Sequence, residues 1–231
     1  MRIMLKLSGE ALAGEKRTGF DEQIVRRVAA QVVRLRKDGH TVGIVIGGGN
    51  FWRGRTGNEI DRDKSDQIGM LATVMNCIYA ADVFRSEGLA CRIMTPFVCG
   101  AFTELFSTDR AREALDAGTV VFFAGGTGHP YFSTDTGVVL RAIEIKAEAV
   151  LLAKAIDGVY DADPAKDKNA KRYDTLTIDE VIEKNLAVVD LTASVLARDN
   201  HMELRVFALQ EEESIIRAVS GSFHGTIVTA S

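Results

Sequence analysis

Proline and cysteine are scarce, with three of each in 231 residues. No Pro- or Ser-rich stretch divides the chain and no repeat is visible, so residues 1–231 read as one domain. Cys77, Cys91 and Cys99 are odd in number and form no C-x-x-C pair, which excludes a disulfide framework and a zinc ribbon. The four histidines, at 40, 129, 201 and 224, make no H-E-x-x-H, and no metal-ligand set is expected. No apolar run approaches 18 residues, so no membrane-spanning helix is expected. The RIMLKL stretch at 2–7 reads as a strand directly after Met1, with no room for a signal peptide, and the expected compartment is the cytoplasm. Neither sign of charge dominates: 28 Lys and Arg against 32 Asp and Glu give a net −4. That argues against a dedicated nucleic-acid binder.

What the chain does contain is an alternation of strands and helices. Short apolar runs at 2–7, 41–46, 90–94, 119–124, 149–153, 187–190, 204–207 and 226–229 read as strands. Between them, Ile24, Val28, Val32 and Leu35 share one helical face behind an Asp21 cap, with Gly39 after the end. Further helical spacing covers 66–87, 108–117, 136–147, 178–185, 191–200 and 211–220. Continuous apolar strands between helices predict an α/β fold, a three-layer α/β/α sandwich around a mainly parallel sheet.

Ligands of such sheets lie beyond the carboxyl ends of the strands. Here strand one is followed by Lys6-Leu7-Ser8-Gly9-Glu10, strand two by Gly47-Gly48-Gly49-Asn50 with Arg53, and the strand at 119–124 by a Gly-rich loop running from Gly125 to Asp135. Bare backbone N–H groups in such turns receive anions, and packing alone is not expected to account for three consecutive glycines. Neither G-x-x-x-x-G-K-[ST] nor G-x-G-x-x-G is present, which disfavours a P-loop enzyme and a Rossmann dehydrogenase. Phosphoryl transfer needs positioned cations more than a side-chain nucleophile. Lys6, Arg53 and Lys154 are the candidates. Asp135, at the start of a helix, either aligns those lysines or a magnesium ion, or is a plain N-cap.

These segments together resemble a known family. Lys6-Leu-Ser-Gly-Glu10, GGGN at 47–50 with Arg53-Gly54, GMLATVMN at 69–76, the GTGHPYFSTD loop, Asp157-Gly-Val-Tyr160 and Asp163-Pro164 are similar to bacterial uridylate kinases (UMP kinases) of the amino acid kinase superfamily. The resemblance implies transfer of a phosphoryl group from ATP to UMP with Mg²⁺, in a homohexamer activated by GTP and inhibited by UTP. By the same resemblance Lys6, Leu7, Ser8, Gly9, Gly49, Arg53, Lys154, Tyr160 and Asp163 meet ATP. Gly48, Asp66, Thr127, Gly128, His129, Pro130, Tyr131, Phe132, Ser133 and Thr134 meet UMP. Lys6, Arg53, Asp135 and Lys154 carry the chemistry, and Gly14, Glu15, Lys16, Arg17, Thr18 and Gly19 fall in the segment tied to GTP activation. His129 stands where the family commonly has Asn, and the second glycine of the activation segment is missing. Two alternatives remain at this stage: a superfamily kinase for a carboxylate, carbamate or isopentenyl phosphate, and a nucleotide-binding oxyanion storage protein on the same fold.

Overall fold

A computed structural model describes residues 1–53 and 60–230; Gly54, part of one motif above, lies outside them. In chain order the elements are β1 (Arg2–Leu7), α1 (Gly9–Ala13), a 3₁₀ turn (Gly14–Lys16), α2 (Glu22–Lys37), β2 (Thr41–Ile46), α3 (Arg62–Ser86), β3 (Cys91–Thr95), β4 (Glu104–Leu105), α4 (Thr108–Asp116), β5 (Val120–Phe123), α5 (Thr134–Glu144), β6 (Ala149–Lys154), β7 (Val159–Tyr160), β8 (Arg172–Tyr173), β9 (Thr175–Thr177), α6 (Ile178–Glu183), α7 (Leu191–Asp199), β10 (Glu203–Ala208), α8 (Ser214–Ser220) and β11 (Gly225–Thr229). Nine strands form one sheet in the order β4-β3-β5-β2-β1-β6-β10-β11-β9. Neighbours run parallel except β10 and β11. β7 and β8 make a separate antiparallel pair.

The twofold alternation of strand side chains splits the core in two. Ile3, Leu5 and Leu7 of β1 face a layer built from α1, α2, α3 and α8. Met4 points the other way, toward α4, α5, α6 and α7. Lys6 shares the Met4 face by parity, and Lys154 shares the face of Val150 and Leu152 on β6. Register pairs Lys6 with Leu152, so Lys154 lies two residues further along the neighbouring strand. Strand parity therefore delivers both lysines to the same side of the same sheet edge, where α5 begins.

α2 starts at Asp21, whose carboxylate accepts from the N–H groups of Gln23 and Ile24, and Gly39 follows it at φ +83°. α3 is long and apolar enough by composition to cross a bilayer, but Ala72, Val74, Cys77, Ala80, Ala81 and Phe84 pack in the core.

Two expectations need correction. Residues 187–190 form no strand: the buried Val188 uses its carbonyl to accept the Lys154 ammonium, and Asp190 turns to cap α7 through the Ala193 N–H at 2.9 Å. The N-cap of α5 is Ser133, which accepts from Asp135 and Thr136, so Asp135 lies inside the first turn with its carboxylate available to other groups. Packing accounts for one position of the glycine run, while a Cβ on Gly47 would meet nothing closer than 3.7 Å. A Cβ on Gly48 would come within 2.9 Å of the Gly69 carbonyl and 3.0 Å of Ala72 on α3.

Gly9 is tighter still: a Cβ there would lie 2.4 Å from both Asn50 Oδ1 and the Gly47 carbonyl, joining the turns after β1 and β2. Overpacking of this kind costs about 1–3 kcal/mol. Gly9→Ala is therefore expected to lower the unfolding free energy by that amount, read as a lower denaturant midpoint, and to slow turnover. A variant with wild-type midpoint and rate would show that the two turns are not in register.

Candidate active site

The turns after β1, β2 and β5 and the end of β6 meet at one sheet edge. Lys6 Nζ donates to Asp135 Oδ1 at 2.7 Å, and both side chains are mostly buried, at 13% and 21% exposure. Lys154 lies in the same field. Burial holds its ammonium below the ordinary lysine value of 10.5, Asp135 opposes that shift and Lys6 adds to it. One carboxylate thus pairs with Lys6 and acts electrostatically on Lys154 of the adjacent strand. Arg53, after the glycine turn, is more exposed and pairs with Glu10 Oε1 at 2.9 Å.

The glycine turn is held from below. Gly47 N–H donates to the Leu7 carbonyl at 3.0 Å, and the N–H groups of Phe51 and Trp52 donate to the Gly48 carbonyl at 3.0 Å. The Trp52 indole N–H reaches Ser65 Oγ of α3 at 3.0 Å. On the other side, the Gly125 N–H donates to Thr73 Oγ1 of α3 at 2.8 Å, and Gly137 of α5 would place a Cβ 3.2 Å from Gly126 Cα. The two loops face one another across a cavity of about 410 Å³. Gly48, Gly49 and Arg53 line one wall, Ser65, Asp66, Gly69 and Thr73 the floor, and Thr127, His129 and Tyr131 to Thr134 the other wall. Asp66 faces this space with Oδ2 accepting the Tyr131 N–H at 2.7 Å, while Arg62 stacks over the Tyr131 ring at 4.8 Å.

Comparison with known proteins gives the family and the fold. The family model of the amino acid kinase family matches residues 1–208. The chain belongs to the amino acid kinase family. A UMP kinase from Bacillus anthracis shares 37% identity over 100% of this chain and 96% of that one, at a TM-score of 0.95. A UMP kinase from Ureaplasma parvum shares 31% identity over 99% and 98%, at 0.93. The uridylate kinase of Archaeoglobus fulgidus shares 26% over 99% and 100%, at 0.76.

In this family member the structure brings Lys6, Asp135 and Lys154 into one electrostatic cluster and sets Gly48, Asp66, Thr127, His129 and Tyr131 to Thr134 around one cavity, whereas Gly128 and Pro130 do not line it. Tyr160 ends β7 and Asp163 follows it, engaged with Asp157 and Lys166 respectively. Residues 14–19 follow α1, with Lys16 Nζ donating to the Phe20 carbonyl at 3.0 Å. Among the described residues no group of three His, Cys, Asp or Glu side chains is placed to hold a metal ion.

Sequence reasoning missed Asp190. Its carboxylate accepts from the Ser133 and Thr136 hydroxyls as well as from Ala193 N–H, so one side chain fixes the starts of α5 and α7 together. The signal was present, since an Asp before the helical run LTASVLAR reads as an N-cap. The apolar residues ahead of it read as a strand instead.

The depressed Lys154 pKa has a stability consequence. The penalty of a charged buried amine is fully present below the lowered value. As pH rises toward 10.5 the folded chain loses that proton while the unfolded chain keeps it, and stability contributed at this site increases. The thermal stability of the wild type relative to Lys154→Met is therefore expected to improve as pH rises toward 10.5. Parallel melting curves of the two proteins check this, and a difference independent of pH would place Lys154 in an ordinary solvated setting.

Proposed function

We propose that this chain is a UMP kinase, transferring the γ-phosphoryl group of ATP to UMP with release of ADP and UDP. The observation that carries the reading is the Lys6–Asp135 pair at the convergence of three strand-end loops, beside a cavity with Asp66 in its floor. The solved relatives named as UMP kinases supply the acceptor's identity.

In this reading the β- and γ-phosphates lie over the turn Lys6-Leu7-Ser8-Gly9, with Gly49 and Arg53 at the junction between donor and acceptor. Tyr160 and Asp163 flank the nucleoside of ATP. The UMP phosphate, whose second pKa is about 6, is already largely dianionic at neutral pH and attacks without a general base. Negative charge spreads over the equatorial oxygens of the transferring group, where Lys6, Lys154 and Arg53 stabilise it. Asp135 keeps both lysines aligned. Asp66 accepts from a ribose hydroxyl of UMP, and Thr127, Gly128, His129, Pro130, Tyr131, Phe132, Ser133 and Thr134 enclose the uracil and phosphate. A magnesium ion bound with ATP would be met by Asp135 and would supply charge screening for the phosphates.

The same reading takes residues 1–231 as one catalytic domain in the cytoplasm that assembles into a homohexamer. It is supported by an unpartnered apolar stripe on α3, where Ile68, Leu71, Met75 and Ile78 are each at least 39% exposed. Val98 and Phe102 add still more exposed apolar surface. Patches of this sort mark protein contacts. UTP competes with UMP for the uridine pocket, and GTP acts through residues 14–19.

The test is an ADP-release assay with UMP and CMP as acceptors, in wild type and Asp66→Asn. UMP is expected to be the preferred acceptor. Asp66→Asn is expected to lower kcat/KM for UMP on the order of ten- to a hundredfold, chiefly through KM, because a charged hydrogen bond is worth about 1.5–3 kcal/mol. Equal use of the two acceptors would contradict the reading. Unchanged UMP kinetics in a variant of lowered melting temperature would make Asp66 a structural residue.

A further inference from the structure

Asn50 and Asn76 are nearly inaccessible, at 3% and 0% exposure. Their amides bond reciprocally: Asn50 Nδ2 donates to Asn76 Oδ1 at 3.0 Å, and Asn76 Nδ2 donates to Asn50 Oδ1 at 2.8 Å. The second donor of each amide goes to a backbone carbonyl, that of Asn50 to Gly19 at 2.8 Å and that of Asn76 to Gly47 at 2.6 Å. Both NH₂ groups are therefore fully used, and the carbonyl partners fix which way each amide faces. Neither residue lines the acceptor cavity.

The pair ties three separate parts of the chain to one point. Asn76 belongs to α3, Asn50 and Gly47 to the glycine turn, and Gly19 to the segment between the 3₁₀ turn and α2. The turn after β1 packs on the same point, since Gly9 has no room for a Cβ against Asn50 Oδ1. Next to Gly19, Phe20 stacks on Tyr79 of α3 with centroids 3.9 Å apart and meets Phe51 edge-on at 5.5 Å. A shift in the path of residues 14–20 thus moves the Gly19 carbonyl, and through it the amide that holds the glycine turn.

We propose that Asn50 and Asn76 are positioning residues for phosphoryl transfer, and that their amide pair couples the backbone of residues 14–20 to the glycine turn. This rests on the reading that Gly48, Gly49 and Arg53 receive phosphate. A buried amide pair with no spare donor cannot absorb a displacement without losing a bond, and buried bonds of this type are expensive to leave unmade. Misplacing reacting groups by about 1 Å costs on the order of a hundredfold in rate.

The chain carries its own reporter. Trp52, the single tryptophan, is bonded to the Gly48 carbonyl and to Ser65, so its exposure to a quencher follows the turn. Two substitutions in the full-length protein separate coupling from general damage. Asn76→Leu removes the amide at similar volume. Gly19→Val acts through the backbone, because Gly19 has φ +66° and nothing within 4 Å of a built Cβ. The readouts are acrylamide quenching of Trp52 together with kcat and KM for UMP phosphorylation. Asn76→Leu is expected to raise quenching and to lower kcat about ten- to a hundredfold, with KM for ATP changed by no more than about threefold. Gly19→Val is expected to move both readouts the same way by less, and the double variant to be no worse than Asn76→Leu alone. Fully additive effects would overturn the coupling. So would wild-type quenching and kcat in Gly19→Val, a comparison that holds even if Asn76→Leu fails to fold. Absence of UMP-dependent ADP release in the wild type would overturn the substrate reading instead, and the quenching cycle would still decide the coupling.

Discussion

The arrangement of this site depends on one partly buried carboxylate that pairs with Lys6 and acts electrostatically on Lys154. Strand parity and register bring Lys6 and Lys154 to the same face of adjacent strands at the same edge, where two ammonium groups in a poorly solvated setting repel one another. Asp135 offsets that repulsion, and the Val188 carbonyl gives Lys154 a further partner. The cluster keeps a positive excess that a phosphate chain is suited to neutralise. Much of the surrounding structure holds Asp135 still. Ser133 caps the helix that carries it, and Asp190 holds Ser133 and Thr136 from the neighbouring helix.

The walls of the cavity are fixed by close backbone approach. Gly48 lies against α3 and Gly126 against Gly137 of α5, so neither loop can draw back without opening a gap in a packed interior. Hydrogen bonds from Trp52 and Gly125 to Ser65 and Thr73 pin both loops to α3. A site built this way stabilises a transition state by donors and charges set in advance, the form of catalysis that phosphoryl transfer requires. The exposed Arg53–Glu10 pair contributes little to stability, as solvated ion pairs generally do, and its value lies in where it leaves the guanidinium.

The layers, the parallel sheet and most of the strand-end loops were legible in the sequence because they rest on hydrophobic periodicity and on glycine, both local signals. Lys6, Arg53 and Lys154 stood out by their places after the strands, and the individual residues of the loop at 127–134 were singled out only through motif resemblance. Asp190 was not, because an apolar run that ends in a helix cap looks like a strand until the Lys154 ammonium is seen to use its carbonyl. The two-residue strands β4, β7 and β8 are too short to show a period. The part played by Asn50 and Asn76 was hidden for another reason: both lie in motifs noticed for their glycines and apolar residues, and only the fold sets them 26 positions apart in sequence yet face to face.

If the Lys6–Asp135 pair is the centre of the chemistry, the most direct measurement is single-turnover phosphoryl transfer by Lys6→Ala at saturating ATP and UMP. The transfer step is expected to slow roughly a hundred- to a thousandfold, the cost typical of removing one preorganised donor, while the variant folds and keeps much of its ATP affinity. Lys6→Arg is expected to restore only part of the rate, because a planar fork does not replace a compact ammonium. A Lys6→Ala rate within about threefold of wild type would contradict the assignment and leave Arg53 and Lys154 to carry the step.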